Sequence, residues 1–302
     1  MARPTLRLVV AVAATLVTSV ALAAHRSYDR QVSAPPGGRL TFQTNVGSVN
    51  VVGGQAPEVI VHADLEGSES FLARVHISVG QSGSGVTVSA RADHRGWFHW
   101  FQFEANRVRF TVQVPGDYPV DVRTSGGDLH VRDLNAAVRA STSGGDAVVR
   151  NVAGGVTVHS SGGDIEAEHL NGATELSSSG GDIRIADSKG DLDLESSGGD
   201  IHLRNDEGRV HAVSSGGDIR ANLPVNQGIR LRTGGGDITL LLPQNTPASI
   251  DAESDGGSVT SDLKMGALQM VSGSHLRGEV GGGGPPIDLQ ASGGDIHLAP
   301  KP

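Results

Sequence analysis

After about residue 118, apolar side chains recur in a fixed rhythm along the chain. Numbered from the Asp of each Gly-Gly-Asp, the following residue is Leu129, Ala147, Ile165, Ile183, Ile201 and Ile219. Two residues further come Val131, Val149, Ala167, Ile185, Leu203 and Ala221, with a variable residue between. Apolar, variable, apolar is the period of a short strand with one face buried. Eight residues before each Asp stand Val120, Val138, Val156, Thr174, Leu192 and Val210. Six before stand Val122, Ala140, Val158, Leu176, Leu194 and Ala212, so a second short strand precedes each corner.

Gly-Gly-Asp itself occurs eight times, ending at Asp128, Asp146, Asp164, Asp182, Asp200, Asp218, Asp237 and Asp295. The first six are spaced by 18 residues. A unit this short is one turn of a stacked coil. Each unit reads strand, Gly-Gly corner, strand, second corner. Gly suits both corners because it allows positive φ and close backbone approach. Ser or Thr four residues before each of the first six Asp, and Ser three before, place stacked hydroxyls where they can satisfy corner backbone groups. The register returns at Ile229 with Asp237, at Ile250 with Gly-Gly-Ser258, and at Ile287 with Asp295. The extra residues lie around Pro224, Pro243 and 281–286, between strands, where a coil tolerates insertion.

Leu40 to Val51 fits the template once more, giving nine or so coils stacked at about 4.8 Å. Residues 57–117 break the period but alternate over Val59–Leu65, Arg74–Val79, Gly85–Arg91 and Arg107–Val114, as longer strands of a cap would. No segment after residue 23 reads as a helix. The predicted class is all-β: a β-solenoid, or parallel β-helix-like stack, with an irregular β N-terminal cap.

Composition narrows the setting. Arg3 and Arg7, the apolar run Leu8 to Leu22 and the small residues of Ala21-Leu22-Ala23 read as an export signal over residues 1–23. One domain is expected over 24–302, with cap and first coil in 24–117 and repeat coils in 118–302. Removing residues 1–23 takes away two Arg and no acid, moving the formal charge from −9 to −11. Such a balance argues against nucleic acid, which selects clustered Lys and Arg. No later apolar stretch is long enough to span a membrane. Cys is absent and aromatics make up 3%. Those suit thin coils, each burying a few aliphatic side chains, better than a large globular core.

With the repeats laid out, residues 35–298 resemble the bacterial DUF4097 family, described as putative adhesins with β-strand repeats. Val46-Gly-Ser-Val-Asn-Val51, Phe110-Thr-Val-Gln-Val-Pro115 and the run of Ser-Gly-Gly-Asp-Ile units carry the resemblance. It implies an exported β-solenoid tied to the cell envelope. Some members are linked to envelope-stress systems, which implies a protein partner.

Candidate chemistry is sparse. The eight Asp form a ladder, but calcium-binding solenoids place Gly-Gly-x-Gly-x-Asp every nine residues, and one carboxylate per eighteen gives too few ligands for a cage. The structural reading is a turn in which each Asp accepts from N–H groups of its own corner. His130, His202 and His297 share the outward position two after the Asp, in coils that are not adjacent; with His159 and His169 they read as solvated surface histidines, and no metal site is expected. Trp97, Phe98, Trp100, Phe101 and Phe103 hold five of the ten aromatics. They read either as a plug closing the end of the core or as an exposed binding patch. Ser261-Asp-Leu-Lys264 matches Ser-x-x-Lys without its partner motifs, and no catalytic residue or cofactor is expected. The expected function is a non-enzymatic envelope module presenting polar residues at regular intervals, such as His130, Arg184, His202 and Arg220 on one face and Arg139, Glu175 and Asp193 on another. Its expected partner is envelope polysaccharide or another surface protein, with a carbohydrate-active enzyme on a β-helix, or an envelope-stress accessory protein binding a membrane partner, as the alternatives.

Overall fold

The computed structural model describes residues 24–83, 85–93 and 106–301. Two long sheets face each other across one core, a flattened β-solenoid. The strand after each Gly-Gly-Asp, such as Ile165–Leu170, lies in a 13-stranded downstream sheet; the strand before it, such as Val156–Ser160, lies in a 14-stranded upstream sheet.

Within the repeat region the pairing is parallel and in register. Val138 lies beside Val156, and Val156 beside Thr174. On the other sheet Ile165 lies beside Ile183, and Ile183 beside Ile201. Equivalent residues therefore form columns along the rod. Inward columns of Ile, Leu, Val and Ala are buried and join into one core. Stacking is favoured because every strand edge inside the rod is paired and each coil alone buries too little to be stable.

The ends depart from chain order. Leu40–Thr44 pairs with Val120–Thr124 on one side and with Gly85–Ala92 on the other. Ser48–Gly54 likewise lies between Leu129–Leu134 and Arg107–Pro115. The first coil is thus sandwiched beneath a layer that follows it in sequence. The far end repeats the device: Pro286–Ala291 and Ile296–Pro300 slot between the coil of Ile229–Leu242 and that of Ala248–Ser261. Among the described residues eleven two-strand layers result, not nine or so in sequential order, for a rod on the order of 50 Å long. The physical reason is the exposed edge: a first or last coil left outermost would present unpaired backbone.

At three of the four sheet ends the outermost strands switch to antiparallel pairing, while Val259–Ser261 ends the downstream sheet in parallel. Glu58–Gly67 joins Arg107–Pro115 and then Ala24–Ser33; Val75–Ser82 covers Gly85–Ala92; at the other end His275–Val280 and Met265–Ser272 close the upstream sheet. The four alternating segments expected within 57–117 are therefore strands of the cap and of its first layer. The structure adds one helical turn, Glu69–Leu72, whose N-cap Ser68 accepts from the Phe71 N–H. The expected plug of Trp97, Phe98, Trp100, Phe101 and Phe103 lies outside the described residues. Within them, Phe42 and Phe110 fill the core near this end, edge to face at 5.2 Å between ring centres.

The two glycines of each corner are not equivalent. A Cβ on Gly181 would sit 2.4 Å from the Gly163 carbonyl oxygen of the neighbouring coil; one on Gly180 would meet nothing nearer than 3.5 Å. The second glycine is demanded by backbone approach, the first is not. Gly181→Ala is therefore expected to lower stability by at least about 2 kcal/mol and Gly180→Ala by less than about 1 kcal/mol, read from denaturant midpoints.

Candidate functional site

The Gly-Gly-Asp corner contains two hydrogen-bond ladders. In the first, the Asp164 N–H donates to Asp146 Oδ1 at 2.9 Å, Asp182 N–H to Asp164 Oδ1 at 2.9 Å, and Asp200 N–H to Asp182 Oδ1 at 2.9 Å. Asp128, Asp218, Asp237 and Asp295 continue the series, which ends where Ser258 N–H donates to Asp295. This corrects the expectation that each carboxylate serves its own corner. It serves the next one, because the Asp N–H points along the rod to where the neighbouring side chain stands.

The second ladder is buried. Ser196 Oγ accepts from Gly199 N–H of its own corner at 3.0 Å and donates to the Gly181 carbonyl of the coil before at 3.3 Å. Thr142, Ser178, Ser214 and Thr233 do the same. One hydroxyl thus satisfies two backbone groups that water does not reach.

Cations run beside the carboxylate column. Arg184 bridges Asp164 and Asp182, and Arg220 pairs with Asp218. Burial pushes the Asp164 carboxyl up, but Arg184 and the Asp182 N–H outweigh it and hold the group below the usual carboxylate range. Asp295 is held low by the N–H and hydroxyl of Ser258. Asp206 moves the other way. It is buried in the second corner, and burial raises it despite bonds from Ser188 and the Arg204 N–H.

The second corner holds a column that the sequence reading missed. Asp133, Asn151, His169, Asp187 and Asn205, 18 residues apart, all have φ between 54° and 64°. Asn151 donates to Asp133 and Asn205 to Asp187. The available signal was the Asx residue five after the corner Asp, since Asn and Asp tolerate left-handed backbone.

Outward columns make the accessible faces. His130, Arg184, His202 and Arg220 share one column of the downstream sheet. Arg139, Glu175 and Asp193 share a column of the upstream sheet. The two sets are therefore on opposite sides of the rod. His297 stands at the same column position as His130 and contacts Thr260 at 3.0 Å and Asp262 at 3.6 Å. His159 lies on the upstream sheet beside Ser177. Ser261 Oγ accepts the Leu263 N–H, the bond of a turn. Among the described residues, no group of three His, Asp or Glu is arranged to hold a metal ion, and no helix is long and apolar enough to cross a membrane.

The upstream sheet carries a concavity of about 1070 Å³. It runs along the rod beside the second corner, from Arg39 and Pro119 to Pro286 and Asp288. One flank is Arg139, Thr157, Glu175, Asp193, His211 and Arg230; the other is Ala137, Gly155, Ala173, Asp191, Arg209 and Gly228. Where the second flank is Ala or Gly, side-chain volume is missing in three successive coils, and this opens the groove.

Fold and corners define the class: a β-solenoid repeat protein with two in-register ladders and capped ends. The family model described as Toastrack DUF4097 matches residues 38–299, and the chain belongs to that family. Among curated proteins none matches. Among solved structures the chain is similar to a putative adhesin from Bacteroides fragilis, with 15% identity, TM-score 0.47 and coverage of 92% of this chain and 97% of that one. It is also similar to a putative adhesin from Parabacteroides distasonis (12% identity, TM-score 0.40, 91% and 97% covered). A putative lipid binding protein from the same species gives 11% identity, TM-score 0.42 and coverage of 91% and 97%.

Two outcomes follow from the corner. Ser196→Ala leaves a buried N–H without its acceptor and is expected to cost about 1–3 kcal/mol in chemical denaturation. Carboxyls held low, as at Asp164 and Asp295, stabilise the fold above their unfolded pKa of about 4, and that contribution is lost as pH falls through the lower folded values. The melting temperature is therefore expected to drop as pH falls below about 4; a flat profile there would show that the ladder contributes nothing.

Proposed function

We propose that this protein is a non-enzymatic binding module of the cell envelope, exported by residues 1–23 and acting through a single solenoid domain over 24–302. The observation that carries the reading is the equivalence of its coils. In-register columns present the same outward positions again and again along a rigid rod, so weak contacts to a repetitive partner add by avidity. The hydroxyl and carboxylate ladders are used up in holding corners together, which leaves the sheet faces as the binding surfaces. The partner class is envelope polymer, reached in the periplasm or at the surface, or another surface protein displaying a repeated motif.

One observation favours a second reading, a carbohydrate-active enzyme. Glu175 and Asp193 are cross-strand neighbours in the groove, so two carboxylates stand about 5 Å apart at the backbone. Mixing residues 24–302 with isolated envelopes and insoluble polysaccharides separates the two. Retention of protein without release of soluble sugar is the expected result. Sugar release that Glu175→Gln abolishes would replace the binding module with a hydrolase.

A further inference from the structure

We propose that the groove of the upstream sheet binds one extended, uncharged glycan strand lying along the rod, with about one pyranose ring per coil. This rests on the envelope-binding reading and gives that reading a site and a ligand class. Three properties of the groove point to it.

The first is direction and pitch. The groove crosses the strands at right angles and touches successive coils from Val120 to Ile229 and on to Pro286. Its chemistry therefore repeats every coil, about 4.8 Å. A peptide in β-conformation advances about 3.4 Å per residue and falls out of step within a few coils. A pyranose in an extended 1,4-linked chain advances by nearly one coil spacing, so each ring meets an equivalent position.

The second is the split between the two flanks. One flank is small and apolar in three coils, at Ala137, Gly155 and Ala173, next to the strand column Val138, Val156, Thr174 and Leu192 whose side chains are buried. The other flank is polar, with Arg139, Thr157, Glu175, Asp193 and His211. A pyranose has the matching division, with C–H faces that bury against the small apolar flank and hydroxyl edges that both donate and accept. Carboxylates take hydroxyl protons, and guanidinium groups donate to hydroxyl oxygens. An acyl chain would leave the polar flank unused.

The third is charge. Four arginines and five carboxylates line the groove, and several are paired within it: Arg209 with Asp191, His211 with Asp193 at 3.1 Å, Arg230 with Asp288 at 3.3 Å. Neither a polyanion nor a polycation finds a complementary field there. An uncharged polyhydroxylated chain meets donors and acceptors without having to break a net charge. Among the described residues none that lines the groove is Phe, Tyr or Trp, so each sugar contributes little and binding must grow with chain length.

The test is calorimetric titration of residues 24–302 with two-, four- and six-sugar oligomers of β-1,4-linked glucose, N-acetylglucosamine and mannose, with polygalacturonate as the charged control. At least one neutral series is expected to gain tenfold or more in affinity from dimer to hexamer, and polygalacturonate to bind more weakly. Ala173 and Ala137 are exposed, so Ala173→Arg and Ala137→Arg fill the groove without entering the core. Each is expected to weaken the hexamer at least tenfold at an unchanged melting temperature, and the second variant serves if the first unfolds. Failure of all three neutral series, affinity independent of length, tighter binding of polygalacturonate, or insensitivity to both substitutions would each overturn the groove assignment. If envelopes still retain the protein in that event, the envelope-binding reading stands without this site; if they do not, that reading falls as well.

Discussion

Everything in this rod depends on one close approach, backbone against backbone at the second glycine of each Gly-Gly-Asp. With Gly181 and Gly163 so near that a Cβ would overlap the neighbouring carbonyl, successive coils have one permitted register. That register aligns each buried hydroxyl with both a donor in its own coil and an acceptor in the previous one. It also aligns each carboxylate with the next N–H. The apolar columns could slide by a strand spacing with little loss, since Ile, Leu and Val are interchangeable there. The corner could not.

The same constraint explains why acid residues crowd one column of an acidic protein without forcing it apart. Like charges at coil spacing repel, yet each carboxylate accepts a backbone N–H, and arginines such as Arg184 stand between neighbours. The Asp column is thus a structural spine. On the faces, side chains are free to differ from coil to coil. The groove arises from that freedom: Ala and Gly in three successive coils remove one wall of side chains while the strands beneath continue unchanged.

The interleaved ends solve the problem that a periodic stack creates for itself. A coil inside the rod has both edges paired, whereas a terminal one has only one. By folding a later segment over the first coil and an earlier segment over the last, the chain gives both terminal repeats two neighbours. It then finishes three of the four sheet ends with antiparallel strands that no longer obey the period; at the fourth, Val259–Ser261 stays parallel. The cap is irregular in sequence because it has no further coil to match.

The coil, its two strands and its corners were legible in the sequence, because each is set by residues within 18 positions. The alternation from Leu129 to Val131 and the recurrence of Gly-Gly-Asp are local facts with local consequences. Local pattern could not say which coil neighbours which at the ends. The coil ending in Asp295 keeps the apolar and Gly-Gly-Asp positions of the template, and only competition for free strand edges puts it beneath the coil of Ala248–Ser261. Nor could it say that an Asp side chain serves the next coil, since that acceptor and donor are 18 residues apart and meet only after stacking. The left-handed column from Asp133 to Asn205 had its local signal in Asx at a fixed place in the repeat. The groove beside it is a product of stacking, since its flanks exist only once outward positions of successive coils stand side by side in the tertiary structure.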